Sequence, residues 1–285
     1  LPFDPGTWYL GWLGELRALP VPEPGLTTTE KRFGGVHESL NGSRTADIIG
    51  FRTEYHFDFT YLAEADYQWL RALYLRHYLG PHYLINPLRH NLLSPQCSTG
   101  YVHSVHEYGW QALNSSYDYV LDYPADVTPA GNRTFRITNV SPAPGYLILD
   151  GGKKFVPVLT GEPVTFSVYL KADAARSITM YLEKIDKFGS SIAGGANLTV
   201  NVTTSWQRFT LTHLPEAGTA ALSPGFVFGA AQTYNTAFAA PQVEYGAAAT
   251  PWDLGGGSTK VVIDQIASTS PQFPLSDVTV TLWEA

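Results

Sequence analysis

Val164-Thr165-Phe166-Ser167-Val168-Tyr169-Leu170 alternates its large apolar side chains with other residues, and Ile178-Thr179-Met180-Tyr181-Leu182 does the same shortly afterwards. Period two is the signature of a strand with one buried face. The two runs predict strands that turn Phe166, Val168, Leu170, Ile178, Met180 and Leu182 toward a common core. Comparable runs at 133–140, 146–149, 198–202, 206–212, 225–230 and 237–245 are separated by Gly, Pro or Asn turns. About eight short strands with this spacing predict a two-sheet β-sandwich over residues 98–252.

Toward the N-terminus the pattern changes. In 47–59, Glu54, His56 and Asp58 alternate with Tyr55, Phe57 and Phe59, which again reads as a strand with one buried face. Thr60 is a candidate N-cap for a helix running to Leu79, with Leu62, Trp69, Leu70 and Leu73 as its apolar stripe and Gly80-Pro81 as its stop. Residues 1–97 are therefore expected to form an α+β domain with one main helix. Gly255-Gly256-Gly257-Ser258 reads as a flexible linker by composition. The strand candidates beyond it, 260–266 and 277–282, are too short to fold alone, so segment 253–285 is expected to dock on the first domain and to make 98–252 an insertion. The fold class is mostly β.

The chain has 285 residues, of which 44% are hydrophobic, 13% aromatic and only 15% charged. An ordinary soluble domain carries about 25% charged residues, so disorder is excluded for most of the chain and buried subunit surface is suggested. The net charge is -7 with no Lys/Arg block, which argues against nucleic acid as a partner. Cys97 is the single cysteine, so no internal disulfide forms. No apolar run reaches the roughly 18 residues of a membrane helix. The opening Leu1-Pro2-Phe3-Asp4-Pro5-Gly6 has no basic and apolar regions of a signal peptide, and none is expected there. Six Asn-X-Ser/Thr sequons are read as chance in a sequence rich in Asn and Thr.

No catalytic motif stands out. There is no Gly-X-Ser-X-Gly elbow, no Gly-rich loop ending in Lys-Ser/Thr and no His-Glu-X-X-His. Cys97, His103 and His106 are metal-ligand types, but a structural zinc site needs four ligands and no fourth is evident. Asp118, Asp122 and Asp126 stand four apart; Pro124 and the neighbouring tyrosines argue against a helix and place them on a surface loop. No cofactor is expected.

Three stretches carry a resemblance. Residues 162–252, with Thr165-Phe166-Ser167-Val168-Tyr169-Leu170-Lys171-Ala172, then Ser205-Trp206-Gln207-Arg208-Phe209-Thr210, then Ala240-Pro241-Gln242-Val243-Glu244-Tyr245-Gly246 closing at Ala249-Thr250-Pro251-Trp252, resemble the carbohydrate-binding-module-like jelly rolls of bacteriophage tail proteins. The stretch Gly80-Pro81-His82-Tyr83-Leu84-Ile85-Asn86-Pro87 to Asn91-Leu92-Leu93 is similar to N-terminal domains of siphophage minor tail and distal-tail-like proteins, especially of phages infecting actinobacteria. Residues 261–284, with Phe273-Pro274-Leu275, look like the tail-end segment that accompanies them. The resemblance implies a virion component at the distal end of a tail, made in the host cytoplasm. It also implies a ring of six copies, or three if the chain sits at the tip, and contacts with other tail proteins. Modules of this kind hold a structural Ca²⁺ in many cases, and the hard oxygens of Asp118, Asp122 and Asp126 suit that ion.

A sugar site on a sandwich needs aromatic rings on the face opposite the core, where their apolar faces meet sugar C–H groups and polar neighbours take the hydroxyls. By strand alternation Tyr169 and Tyr181 leave the core side, with Lys171 and Glu183 two residues further along. If the two strands are neighbours, both rings share one open face. The alternative is that this face packs on another subunit or carries ordinary β-formers. Three roles therefore compete: assembly of the tail, recognition of a host cell-wall glycan, and polysaccharide cleavage, with assembly placed first and no enzymatic activity expected.

Overall fold

The computed structural model describes the backbone of all residues except 1–3, 5, 23–25, 40–41, 79–80, 101–109, 114–115, 123–133, 142–144, 151–154 and 229–234, and side chains are described for most of the rest. The described residues form eighteen strands and two helices. The first part of the chain holds β1 (Tyr9–Trp12), β2 (Glu15–Ala18), β3 (Thr27–Glu38), β4 (Arg44–Ala63), α1 (Glu64–Tyr74), β5 (His82–Ile85) and α2 (Pro95–Ser98). Next come β6 (Trp110–Leu113), β7 (Ser116–Asp122), β8 (Thr134–Ser141), β9 (Gly145–Leu149), β10 (Val156–Pro157), β11 (Val164–Ala172) and β12 (Arg176–Ile185). The chain ends with β13 (Ser191–Val202), β14 (Gln207–His213), β15 (Ala221–Phe228), β16 (Thr236–Tyr245), β17 (Ser258–Gln272) and β18 (Leu275–Glu284). They divide into two compact units: Leu1–Leu16 with Ile85–Thr259, and Arg17–Leu84 with Lys260–Ala285.

The first unit is a β-sandwich. One sheet has the order β13-β12-β15-β9-β6, with β10 pairing β15, and the other β14-β11-β16-β8-β7. Phe166, Val168 and Leu170 of β11 and Ile178, Met180 and Leu182 of β12 are buried, as period two requires. Between the sheets Phe226 meets Phe238 at 4.9 Å and Phe166 at 5.6 Å, and Trp110 meets Phe238 edge-on at 5.6 Å. Dispersion and removal of apolar surface from water let this aromatic cluster, together with the aliphatic core around it, stabilise the unit.

The sandwich unit extends beyond 98–252, and buried polar contacts explain why. The fully buried Asn91 donates to the carbonyls of Pro241 at 2.9 Å and Asp253 at 3.0 Å, and accepts from the amides of Leu93 and Val243 at 3.2 Å each. Ser94 caps α2 by accepting from the Cys97 amide at 3.1 Å, while its own amide donates to Asp150 at 2.6 Å. The glycine run is also no flexible linker. The amides of Gly256 and Gly257 donate to the carbonyls of Leu93 and Asn91 at 2.7 and 2.8 Å, and the Asn86 amide donates to the Gly257 carbonyl at 2.9 Å. A Cβ on Gly257 would sit 2.5 Å from the Arg89 carbonyl oxygen, so the run is glycine because main chains touch there.

In the second unit β17 and β18 form a hairpin, and β18 pairs antiparallel with β4, Val280 opposite Phe57 and Leu282 opposite Tyr55. β3 pairs with the other edge of β4. Tyr55, Phe57, Phe59, Val278, Val280 and Leu282 are buried on one face, as are Trp69, Leu70 and Leu73 of α1. The helix is shorter than expected at both ends. Thr60 to Ala63 remain in β4 because Leu62 and Ala63 pair with Ser276 and Leu275, which leaves Ala63 as an N-cap without a side-chain bond. At the other end Arg76 takes a left-handed conformation, φ 54, and stops the helix well before Leu79.

Candidate functional site

β11 and β12 are consecutive in the chain but lie in opposite sheets, β11 beside β14 and β16, β12 beside β13 and β15. Tyr169 and Tyr181 therefore do not share a face, because the condition for it, that the two strands be neighbours, is not met. Tyr169 is half-buried, and the guanidinium of Arg208, its cross-strand partner, sits 5.6 Å from the ring centroid while donating to Ser167 at 2.8 Å. That ring face is already covered by a cation. Lys171 is half-buried on the same strand, separated from Glu183 by the thickness of the sandwich.

Tyr181 and Glu183 do come together, in a groove of about 650 Å³ on the outer face of the β13-β12-β15-β9 sheet. The volume falls within the usual range for small-ligand sites. Cross-strand register builds it: Asn197 lies opposite Tyr181, Gly225 lies opposite Tyr181 on the other side, and Ile148 lies opposite Gly225. One register step away, Val227 lies opposite Tyr146. The glycine at 225 opens room in this row, and Tyr181 leans across it to meet Tyr146 edge-on, ring centroids 6.4 Å apart at 79°. Glu183 accepts a 2.6 Å bond from the Ser191 hydroxyl at the end of the groove. The wall on β13 follows a register shift between Leu182 and Lys184, where Gly194 and Gly195 cross the partner strand closely. Lys184 is buried beneath that wall and bonds Glu216 at 2.5 Å, and this bond holds the Glu216 carboxyl below its ordinary pKa.

Among the described residues the groove offers two tyrosine rings, an aliphatic floor at Ile148, an amide at Asn197, a hydroxyl at Ser191 and one carboxylate, Glu183. Such a set stacks on an apolar ring face and bonds hydroxyls around it. Tyr146, Ser191 and Asn197 escaped the sequence reading because only strand pairing brings them to Tyr181. The signal available was Gly225 inside a strand-like run, which marks a close approach.

The backbones of Asp118 and Asp122 belong to strand β7 rather than to a loop, because the segment pairs with β8. Their side chains and Asp126, like His103 and His106, lie outside the described residues. Cys97 is buried in α2, and its carbonyl accepts from the Trp110 indole at 3.0 Å. Among the described residues no group of three or more His, Cys, Asp or Glu is arranged to hold a metal.

No protein-family model matches the chain, and no curated protein matches it. Among solved structures, the enzymatically active domain of bacteriophage CBA120 tailspike protein 4 is similar at 9% identity and TM-score 0.43, covering 55% of this chain and 21% of that one. A structure described as "CBM4 structure and function" aligns at 17% identity and TM-score 0.37, covering 54% of this chain and 94% of that one. The CBM22-1 xylan-binding domain of Paenibacillus barcinonensis Xyn10C aligns at 19% identity and TM-score 0.38, covering 55% and 94%. This chain thus spans about a fifth of the tailspike chain, and scores this low define no family for it.

Proposed function

We propose that the chain is a glycan-binding component of a phage tail that recognises a host cell-wall polysaccharide through the groove around Tyr181. The observation that carries this reading is the pair of rings, Tyr181 and Tyr146, set edge-on in a groove whose remaining polar groups are an amide, a hydroxyl and a carboxylate. Stacking holds the sugar and the polar rim selects its hydroxyl pattern. Among the described residues Glu183 is the one carboxylate lining the groove, whereas the common glycosidase mechanisms use two flanking the scissile bond, which supports binding over turnover. The tail setting is supported by the sequence resemblance of residues 80–93, 162–252 and 261–284. In that setting several copies, six first and three as the alternative, would multiply a modest single-site affinity.

The test is binding of the purified chain to cell-wall polysaccharide by affinity electrophoresis, with reducing-sugar release measured in parallel. Retardation without sugar release is expected. Free migration through every polysaccharide tried would remove the proposal, and sugar release would replace it with an enzyme.

A further inference from the structure

We infer that the groove around Tyr181 selects a positively charged sugar, one carrying a free amino group, over neutral and anionic sugars. This rests on the glycan-binding reading of that groove and adds the class of glycan. Among the described residues that line it, Glu183 is the one charged side chain; the others are tyrosine rings, aliphatic groups, glycines, one hydroxyl and one amide.

The protein itself uses only part of Glu183. Its Oε1 accepts the 2.6 Å bond from the Ser191 hydroxyl, and its Oε2 takes no hydrogen bond among the described residues. Ser191 thereby orients the carboxylate and leaves one oxygen for a ligand. The cations closest in sequence are engaged elsewhere. Lys184 bonds Glu216 from beneath the wall, and Lys187, in the turn between β12 and β13, stands 5.2 Å from the centroid of the Phe188 ring. Neither lines the groove, so among the described residues the Glu183 charge meets no counter-ion there.

A carboxylate beside two aromatic rings favours an ammonium group for two reasons. A hydrogen bond between two charged groups is roughly twice as strong as one between neutral groups. The negative faces of Tyr146 and Tyr181 also attract a cation that comes within about 6 Å of a ring centroid. A uronate or phosphate meets the reverse: like charge at Glu183 and no lining cation, on a chain whose net charge is -7. Asn197, opposite Tyr181, leaves its amide for a neighbouring hydroxyl.

The experiment titrates oligomers of glucosamine, N-acetylglucosamine and galacturonate, equal in length, into the full chain at a pH where the amines are protonated. N-acetylation removes the charge and keeps the sugar backbone. Calorimetry should show saturable binding of the glucosamine oligomer, about tenfold tighter than its N-acetylated counterpart, and none of the galacturonate. Added salt should weaken the first and leave the second nearly unchanged. Glu183→Gln should bring the two glucosamine-based oligomers within about twofold of each other. Equal affinities for these two in the parent chain, no saturation by the glucosamine oligomer, or a preference that survives in Glu183→Gln would overturn the inference. Retardation by cell-wall polysaccharide without a preference for the amine defeats this inference alone, whereas absence of that retardation removes the reading on which it rests.

Discussion

The ring of Tyr181 fills the space that a side chain at Gly225 would take, a Cβ there falling 2.5 Å from both its Cζ and its hydroxyl oxygen. The same Cβ would stand 2.5 Å from the Leu147 carbonyl oxygen, so Gly225→Ala must push both the ring and a neighbouring strand. Overpacking of this kind costs about 1–3 kcal/mol. The expected outcome is a lower urea midpoint together with loss of polysaccharide retardation, because the ring no longer meets Tyr146 in its present geometry.

Strand alternation is a local property, and it made the inward residues of β11 and β12 and the outward Tyr181 and Glu183 readable from the chain alone. Which sheet a strand joins is not local. Asp173-Ala174-Ala175 carries β11 into the opposite sheet instead of folding β12 back beside it, and no residue type there distinguishes the two courses. That single ambiguity separated Tyr169 from Tyr181 and hid Tyr146. The glycine run at 255–257 misled for a related reason, since glycine serves flexibility and close approach equally well.

Close approach at Gly257 has its own consequence. A linker would tolerate alanine, but a Cβ at 257 would meet the Arg89 and Asn91 carbonyl oxygens at 2.5 and 2.8 Å. Gly257→Ala should therefore lower stability by about 1–3 kcal/mol, read from denaturant unfolding, whereas a change within experimental error would restore the linker view.

Asn91 is satisfied on both its amide and its oxygen by four main-chain groups. Asn91→Ala leaves those groups without their partner inside the protein, at about 1–3 kcal/mol for each one left unsatisfied. The expected loss is thus larger than for removal of any single surface hydrogen bond, and chemical denaturation followed by tryptophan fluorescence measures it.

His82 sets a pH dependence. Its folded pKa lies below the ordinary value, so as pH falls through about 6.5 the unfolded chain takes up a proton there before the folded chain does. More protons bound in the unfolded state means that the stability associated with neutral His82 is full above this window and declines as pH falls through it. Urea midpoints measured between about pH 7.5 and 5 should decline less steeply in His82→Gln than in the parent chain.

The glycan is assigned to Tyr181, which lines the groove, and not to Tyr169, whose ring lies against the Arg208 guanidinium. Calorimetric titration of one cell-wall polysaccharide that the parent chain binds, into Tyr181→Ala and Tyr169→Ala, tests it most directly. Loss of one ring contact at Tyr181 should weaken binding by about 1 kcal/mol or more, close to tenfold, while Tyr169→Ala binds as the parent does. Equal affinities in the parent and Tyr181→Ala, or a loss confined to Tyr169→Ala, would contradict the account.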